Sequence, residues 1–378
     1  MRVYIKDYYS TKFGELWEKS LGDLISEVIS GLLSSSGIDK KRIDAVFVGN
    51  MLSGMLDENL LLSAKVNDIL GNLGIPVVRS EAACASGGVA FYNACQYLRA
   101  GEGENVIVLG VEKMSDFCME DVVSALASAL AGEEQQAGLT FPGAYALMAQ
   151  YYLSKYGYTE EDLAYVAVKN HFFADLNDKA HFRQKISLDD VLKSPYVADP
   201  LKVLDCSPIS DGAAGLILSA ERSDVEVLSC CVSTDTHTLS GRQSLDAIKS
   251  VQRSSEKAFA RAGVQQEDVD IVELHDCFSI AEIIIMEDIG FWRKGEGGQR
   301  IKEFSLENPF KVRPVVNTSG GLKAAGHPVG ATGVKQIGEV FLQLKGAAGA
   351  RQVPEAKVGL AQNTAGSGGL SVVSILSR

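Results

Sequence analysis

Apolar residues recur at helical spacing over Leu21, Leu24, Ile25, Val28, Ile29 and Leu32, and the stretch ends at Gly37. Period 3.6 followed by a glycine predicts an amphipathic helix with a glycine stop. A short polar turn and the run Ile43 to Val48 come next. The same grammar returns later without a gap: Gly37-Ile-Asp-Lys-Lys-Arg-Ile43-Asp44-Ala-Val46-Phe-Val48 aligns with Gly263-Val-Gln-Gln-Glu-Asp-Val269-Asp270-Ile-Val272-Glu-Leu274 at a constant offset of 226 residues. Ile248, Val251, Ala258 and Ala262 supply a weaker helical stripe ahead of the second copy. The chain is therefore read as a duplication, each copy holding helix, glycine stop, polar turn and buried strand.

Further apolar runs at 75–78, 106–110, 214–218, 226–232, 357–361 and 371–376 read as strands, with helical segments at 86–99 and 334–345. Strands alternating with helices predict an α/β protein with buried sheets covered by helices, built as two pseudo-symmetric halves. About a hundred residues between the strands 106–110 and 214–218 have no counterpart in the second half. They read as an inserted loop domain, the kind of projection that commonly carries ligand contacts.

At 378 residues the chain exceeds one ordinary core, in agreement with two halves. Its net charge of -12 disfavours nucleic acid and anionic membranes as partners. The most basic stretch, Lys169, His171, Lys179, His181, Arg183 and Lys185, reads as a solvated face or, for a phosphorylated ligand, as phosphate partners. The N-terminal residues lack a secretory pattern, no apolar segment is long enough to span a bilayer, and the final Leu376-Ser-Arg378 is not a peroxisomal address, so a cytoplasmic location is expected. Seven cysteines without a Cys-x-x-Cys pair are expected to be reduced thiols.

Three segments carry chemistry. Ser80-Glu-Ala-Ala-Cys84-Ala-Ser-Gly-Gly88 lies between a strand and a helix start, where free N–H groups lower a thiol's pKa and can face a developing oxyanion; a buried structural thiol is the competing reading. Asn317 to Gly333 is a glycine-rich turn without a nucleotide-loop pattern, and it holds His327 between Gly326 and Pro328, where an imidazole can serve as the base for a thiol; a lone polar-turn histidine is the competing reading. Glu273-Leu-His275-Asp276-Cys277-Phe278-Ser279-Ile-Ala-Glu282 follows the repeated strand. In extended backbone His275 and Cys277 point the same way, Asp276 orients the turn, and Ser279 with Glu282 has capping-box spacing. A zinc site from Cys84, His275, Cys277 and His327 has weak support, because His-x-Cys comes without a Cys-x-x-Cys pair. Gln362-Asn-Thr364-Ala-Gly366-Ser-Gly368-Gly369 is read as a tight turn or as an anion-holding backbone N–H.

Glu81-Ala-Ala-Cys84-Ala-Ser-Gly, Ser210-Asp-Gly-Ala-Ala214, His275-Asp-Cys277-Phe and Gly326-His327-Pro-Val-Gly-Ala-Thr-Gly, in this order, resemble the thiolase family over essentially the whole chain. That resemblance implies a thiolase-like fold, with an N-terminal half 1–220 containing a loop domain at about 115–205 and a C-terminal half 221–378. It implies that Cys84 is acylated and His327 takes its proton. The sequence departs from the commonest thiolases at two linked places. Their Cys-x-Gly is Thr364-Ala-Gly366 here, and their Asn-Glu-Ala-Phe is His275-Asp-Cys277-Phe278. This exchange resembles the archaeal-type and sterol-carrier-protein-type thiolases, in which the second catalytic cysteine sits in that block. Thr11-Lys-Phe-Gly-Glu, Gly110-Val-Glu-Lys-Met114, Phe141-Pro-Gly, Val166-Ala-Val-Lys-Asn-His171 and Asp205-Cys-Ser-Pro look most like archaeal-type acetoacetyl-CoA thiolases.

By that resemblance the reaction joins two acetyl-CoA into acetoacetyl-CoA and CoA, reversibly, with coenzyme A as substrate carrier and no other cofactor or metal. Cys84, His275, Cys277, His327 and the N–H of Gly366 are the expected catalytic groups, and Ser207 and Phe278 the expected contacts to the CoA arm and the pocket wall. A homodimer or homotetramer is implied, and a complex with hydroxymethylglutaryl-CoA synthase through a small bridging protein is compatible with it. The competing readings are a degradative 3-ketoacyl-CoA thiolase for longer chains, a related condensing synthase, which the Cys277 block disfavours, and a CoA-binding scaffold.

Overall fold

The computed structural model describes residues 1–378. The first half runs β1 (Tyr4–Ser10), α1 (Leu21–Ser36), β2 (Ala45–Gly49), α2 (Leu62–Leu70), β3 (Val77–Ser80), α3 (Ser86–Ala100) and β4 (Asn105–Glu112). An insertion follows, with α4 (Met119–Ala127), α5 (Gly132–Gln136), α6 (Phe141–Tyr156), α7 (Glu160–Asp175), α8 (Leu188–Lys193) and a small hairpin of β5 (Tyr196–Ala198) and β6 (Leu201–Lys202); β7 (Gly212–Ser219) then closes the half. The second half runs β8 (Val225–Thr234), α9 (Lys249–Ala262), β9 (Ile271–Glu273), α10 (Ser279–Ile289), α11 (Gly297–Arg300), β10 (Val315–Val316), α12 (Gly321–Ala325), α13 (Thr332–Lys345), β11 (Val358–Ala365) and β12 (Leu370–Ser377).

The strand order β10-β9-β11-β12-β8-β1-β7-β4-β2-β3 is a palindrome of roles. In each half the strand after the internal-repeat turn pairs parallel with two neighbours, β2 with β3 and β4, β9 with β10 and β11. In each half the closing pair is antiparallel, β4 with β7 and β11 with β12. The halves meet where β1 and β8 pair through Tyr4↔Glu226 and Ile5↔Val225. The duplication expected from the sequence is thus present as topology. Both repeat helices end on a left-handed glycine, Gly37 at φ 66° and Gly263 at φ 69°, a conformation that costs glycine least. β11 and β12 are joined by a four-residue turn, whereas β4 and β7 are separated by the whole insertion.

Helices α3 and α13 form the centre: α3 touches β2 and β4 and also β8 and β12, while α13 touches β9 and β11 and also β1, β4 and β7. Small residues allow this approach. A Cβ on Gly87 would lie 2.7 Å from the Gly330 carbonyl oxygen, and one on Gly333 2.4 Å from the Gly88 nitrogen. The glycine-rich segments around Cys84 and His327 therefore bring two helix starts together. All eleven residues of α10 are buried, because it packs against α9 on one side and against α6 and α7 of the insertion on another. This explains an apolar run such as Ile283-Ile-Ile-Met286 with no polar face.

Two expectations are corrected here. Helix α10 does start at Ser279, but no capping box forms: the Ser279 hydroxyl donates to Asp205 (2.8 Å), and the Glu282 carboxylate takes Lys169 (3.0 Å), Asn170 (3.0 Å) and Asn317 (2.8 Å). The basic stretch is not a solvated face. Lys169 and His171 are buried on the inner side of α7, and only Arg183 and Lys185 of the six are exposed.

Candidate active site

Five chain segments converge on one cavity of about 370 Å³, lined mostly by apolar side chains and holding Cys84, Ser207, His275, Cys277, Phe278, His327 and Gly366. All seven residues singled out from the sequence thus face a single space. None of the six residues of the basic stretch lines it.

Cys84 sits on the turn between β3 and α3. Ala83 adopts φ 47°, unusual for a residue with a Cβ, and the Ser86 hydroxyl locks the turn by donating to the Ala83 carbonyl (2.6 Å) and accepting from the Ala82 N–H (2.9 Å). The helix start does not leave the thiol acidic. Burial pushes Cys84 up to about 12, against the opposing pull of the Gly366 and Cys84 backbone N–H groups on the sulfur. The expected lowering is outweighed, and the resting group is a neutral thiol.

His327 follows Gly326, whose φ of 103° turns the chain, and its N–H donates to the Ser210 hydroxyl (3.2 Å). The Glu112 carboxylate fixes the far side of the loop by accepting from the Gly330 N–H (3.0 Å). The ring's Nδ1 lies 2.7 Å from the Thr332 hydroxyl oxygen, and that hydroxyl donates to the Pro328 carbonyl (2.9 Å). With its proton committed, the hydroxyl can only accept from Nδ1, so Nδ1 carries the hydrogen and Nε2 keeps its lone pair. Burial, with the Lys335 ammonium adding to it, lowers His327 to about 3. A neutral thiol beside a neutral imidazole with a free Nε2 can work as a nucleophile and base pair in which the proton moves only when attack begins.

His275 and Cys277 follow β9 on a tightly held loop. The Asp276 carboxylate between them accepts from the Leu322 N–H (2.7 Å) and the Asn170 amide (2.6 Å), which is the orienting role expected of it. The Cys277 carbonyl accepts from the Ser207 N–H (2.9 Å). The His275 and His327 rings stand edge to face at 5.0 Å. His275 Nδ1 is 3.2 Å from the Asn363 amide nitrogen, whereas its Nε2 is buried without a protein partner. Burial drives Cys277 well above, and His275 well below, their ordinary ranges. Ligand atoms of Cys84, His275 and His327 lie within 4.8 Å of one another, whereas Cys277, the fourth member of the zinc set considered from the sequence, does not join them.

Residues without a role from the sequence complete the site. The Tyr145 hydroxyl donates to the Gly366 carbonyl (3.0 Å), and its ring stacks on Phe278 at 4.7 Å, so α6 of the insertion ties the Gly366 turn to the Cys277 loop. Asn363 joins Cys84 and His275. Thr332 and Asn363 stand inside the glycine-rich segments, but as a helix start and a strand residue they carry no spacing signal of their own.

The thiolase N-terminal domain family matches residues 3–222, and the thiolase C-terminal domain-like family matches residues 231–378. The chain belongs to the thiolase family. An acetyl-CoA acetyltransferase of Methanothermobacter thermautotrophicus is 43% identical over 376 residues, covering 97% of this thiolase and 97% of that relative. Sterol carrier protein 2 of Gallus gallus is 32% identical over 99% of this chain and 71% of its own length. Among solved structures, an Ltp2–ChsH2(DUF35) aldolase superposes with a TM-score of 0.84 at 21% identity, covering 99% of this thiolase and 97% of that chain, a likeness of fold. No helix of this thiolase is long and apolar enough to cross a membrane.

Proposed function

We propose that the chain is an acetyl-CoA C-acetyltransferase, joining two acetyl-CoA into acetoacetyl-CoA and CoA and running reversibly. The observation that carries this reading is the meeting of Cys84, Cys277, His275 and His327 in one largely apolar cavity. The archaeal acetyl-CoA acetyltransferase relative supports the short acyl chain.

In the first half-reaction the Cys84 thiol gives its proton to His327 Nε2 as sulfur attacks the thioester carbonyl. The Cys84 and Gly366 N–H groups, which already face the sulfur, hold the tetrahedral oxyanion. The departing CoA thiolate takes the Cys277 proton, which leaves acetyl-Cys84, a Cys277 thiolate and a His327 imidazolium. In the second half-reaction the Cys277 thiolate removes the α-proton of a new acetyl-CoA, while His327 and His275 stabilise the enolate oxygen. The enolate attacks acetyl-Cys84, and the released Cys84 thiolate recovers its proton from His327. The proton inventory closes with every group restored.

The resemblance also supports a homodimer or homotetramer in the cytoplasm, coenzyme A as the only cofactor-like group, with Ser207 and Phe278 against its arm, and association with hydroxymethylglutaryl-CoA synthase through a small bridging protein. Intact mass after incubation with acetyl-CoA tests the central claim. One acetyl group that maps to Cys84, together with release of free CoA, is expected. An unmodified Cys84 would exclude the function.

A further inference from the structure

We infer that Asn363 is a positioning residue that fixes His275 in the tautomer with hydrogen on Nε2, so that this ring enters the reaction as a hydrogen-bond donor and not as a base. The inference rests on the acetyltransferase reading for its catalytic meaning, but its structural part stands alone.

Asn363 is buried in β11 and has one possible orientation. Its Oδ1 accepts from the Gly88 N–H (3.3 Å), a group that can only donate. Its Nδ2 donates to the Cys84 carbonyl (3.0 Å), a group that can only accept. A flipped amide would set donor against donor and acceptor against acceptor at both contacts, at a cost of about 1–3 kcal/mol for each buried group left unpaired. The second hydrogen of Nδ2 faces His275 Nδ1 at 3.2 Å. Nδ1 must therefore be the unprotonated nitrogen of a neutral ring, and Nε2 carries the hydrogen. Nε2 is also the buried atom without a protein partner, a donor kept unsatisfied on a ring that stands 5.0 Å from that of His327 and lines the same cavity as Cys84. Neighbours give opposite polarity to the two histidines: Thr332 makes His327 Nε2 an acceptor, and Asn363 makes His275 Nε2 a donor. One amide thus couples the backbone of the acylated cysteine to the tautomer of the ring that meets the enolate oxygen.

The test is nitrogen NMR of the full-length protein grown with 15N-histidine, in which only five histidines contribute and His275 is assigned by its loss in His275→Gln. In the wild type His275 Nδ1 should resonate as an unprotonated nitrogen and Nε2 as a protonated one. Asn363→Asp places an acceptor against Nδ1 and should protonate it. The ring then donates from Nε2 only while it remains an imidazolium, so condensation should acquire an alkaline limb absent from the wild type, falling by about a hundredfold or more as that donor is lost. A protonated Nδ1 in the wild type would overturn the inference, even if the variant does not fold. So would an Asn363→Asp enzyme with unchanged tautomer and pH profile. Should wild-type Cys84 fail to acetylate, the acetyltransferase reading falls while the spectrum still decides the tautomer.

Discussion

His327, in the loop ahead of α13, lies five residues before Thr332, the first residue of that helix, and the 2.7 Å contact between Nδ1 and the threonine hydroxyl leaves Nε2 as the lone-pair side of the imidazole. Thr332→Val keeps the shape but removes the acceptor, leaving a buried N–H unpaired at a cost of about 1–3 kcal/mol. The ring is then free to reverse its tautomer. Single-turnover acetylation of Cys84 should slow by at least about tenfold, short of the roughly hundred- to ten-thousandfold expected from removing the base in His327→Ala. Acetylation by Thr332→Val at the wild-type rate would show that the tautomer is held by something else.

The depressed basicity of His327 has a kinetic signature. An ordinary imidazole near 6.5 would be protonated and idle at pH 5, with a rate loss of about thirtyfold. Burial lowers His327 to about 3, so the neutral base persists, and burial holds Cys84 up at about 12 as a thiol. Acetylation measured by quenched mass spectrometry should therefore change little between pH 5 and pH 8. A limb with its midpoint near 6.5 would mean that His327 is not the base, or that the site admits more water than the fold suggests.

Much of this was legible because duplication and glycine carry strong signals. The repeat at 37–48 and 263–274 reports a shared helix, stop and strand, and the structure returns both with matching left-handed glycines. Cys84 and His327 could be found because small residues must flank side chains that sit where two helix starts pack closely. Ser279 and Glu282 misled because a spacing that normally caps a helix is used for long-range contacts to Asp205 and Lys169, partners more than seventy residues away. The basic stretch misled for the same reason, since the pairing of Lys169 with Glu282 depends on how the insertion folds over α10. Thr332 and Asn363 were visible as letters but not as roles, because a tautomer depends on three-dimensional hydrogen bonding.

Gly333 tests how far the helix starts tolerate change. Alanine would gain about 1 kcal/mol of intrinsic helix propensity. Its Cβ, however, would lie 2.3 Å from Asn363 Oδ1 and 2.4 Å from the Gly88 nitrogen, both parts of packed elements with no room to yield. Overpacking of this kind typically costs about 1–3 kcal/mol, so the clash outweighs the propensity. Gly333→Ala should lower the urea midpoint of unfolding and, by pushing on Asn363, slow condensation. A variant as stable and active as the wild type would contradict the close approach of α3 and α13.

Cys277 decides between a catalytic and a structural second cysteine. It is buried, packs in the same core as Phe278 and Tyr145, and burial holds its thiol well above the ordinary range, all of which a structural residue would also show. The proposed cycle asks more of it: it must lose its proton to the departing CoA and then take one from the next acetyl-CoA. If so, Cys277→Ala keeps Cys84, His327 and both oxyanion N–H groups, and acetyl-Cys84 should still accumulate, more slowly because the leaving thiolate lacks its donor. Carbon–carbon bond formation should fall by about a hundred- to ten-thousandfold, the range for removing a general base. Rapid-quench acetylation and acetoacetyl-CoA formation, followed side by side, would separate the two steps. A structural cysteine predicts a different pair of results, a lower unfolding midpoint with both steps scaling together in the folded fraction. Thr364 occupies the place where the commonest thiolases carry their second cysteine, so a Cys277→Ala enzyme that condenses at the wild-type rate would leave the α-proton with no thiol to receive it and would end the two-cysteine mechanism for this chain.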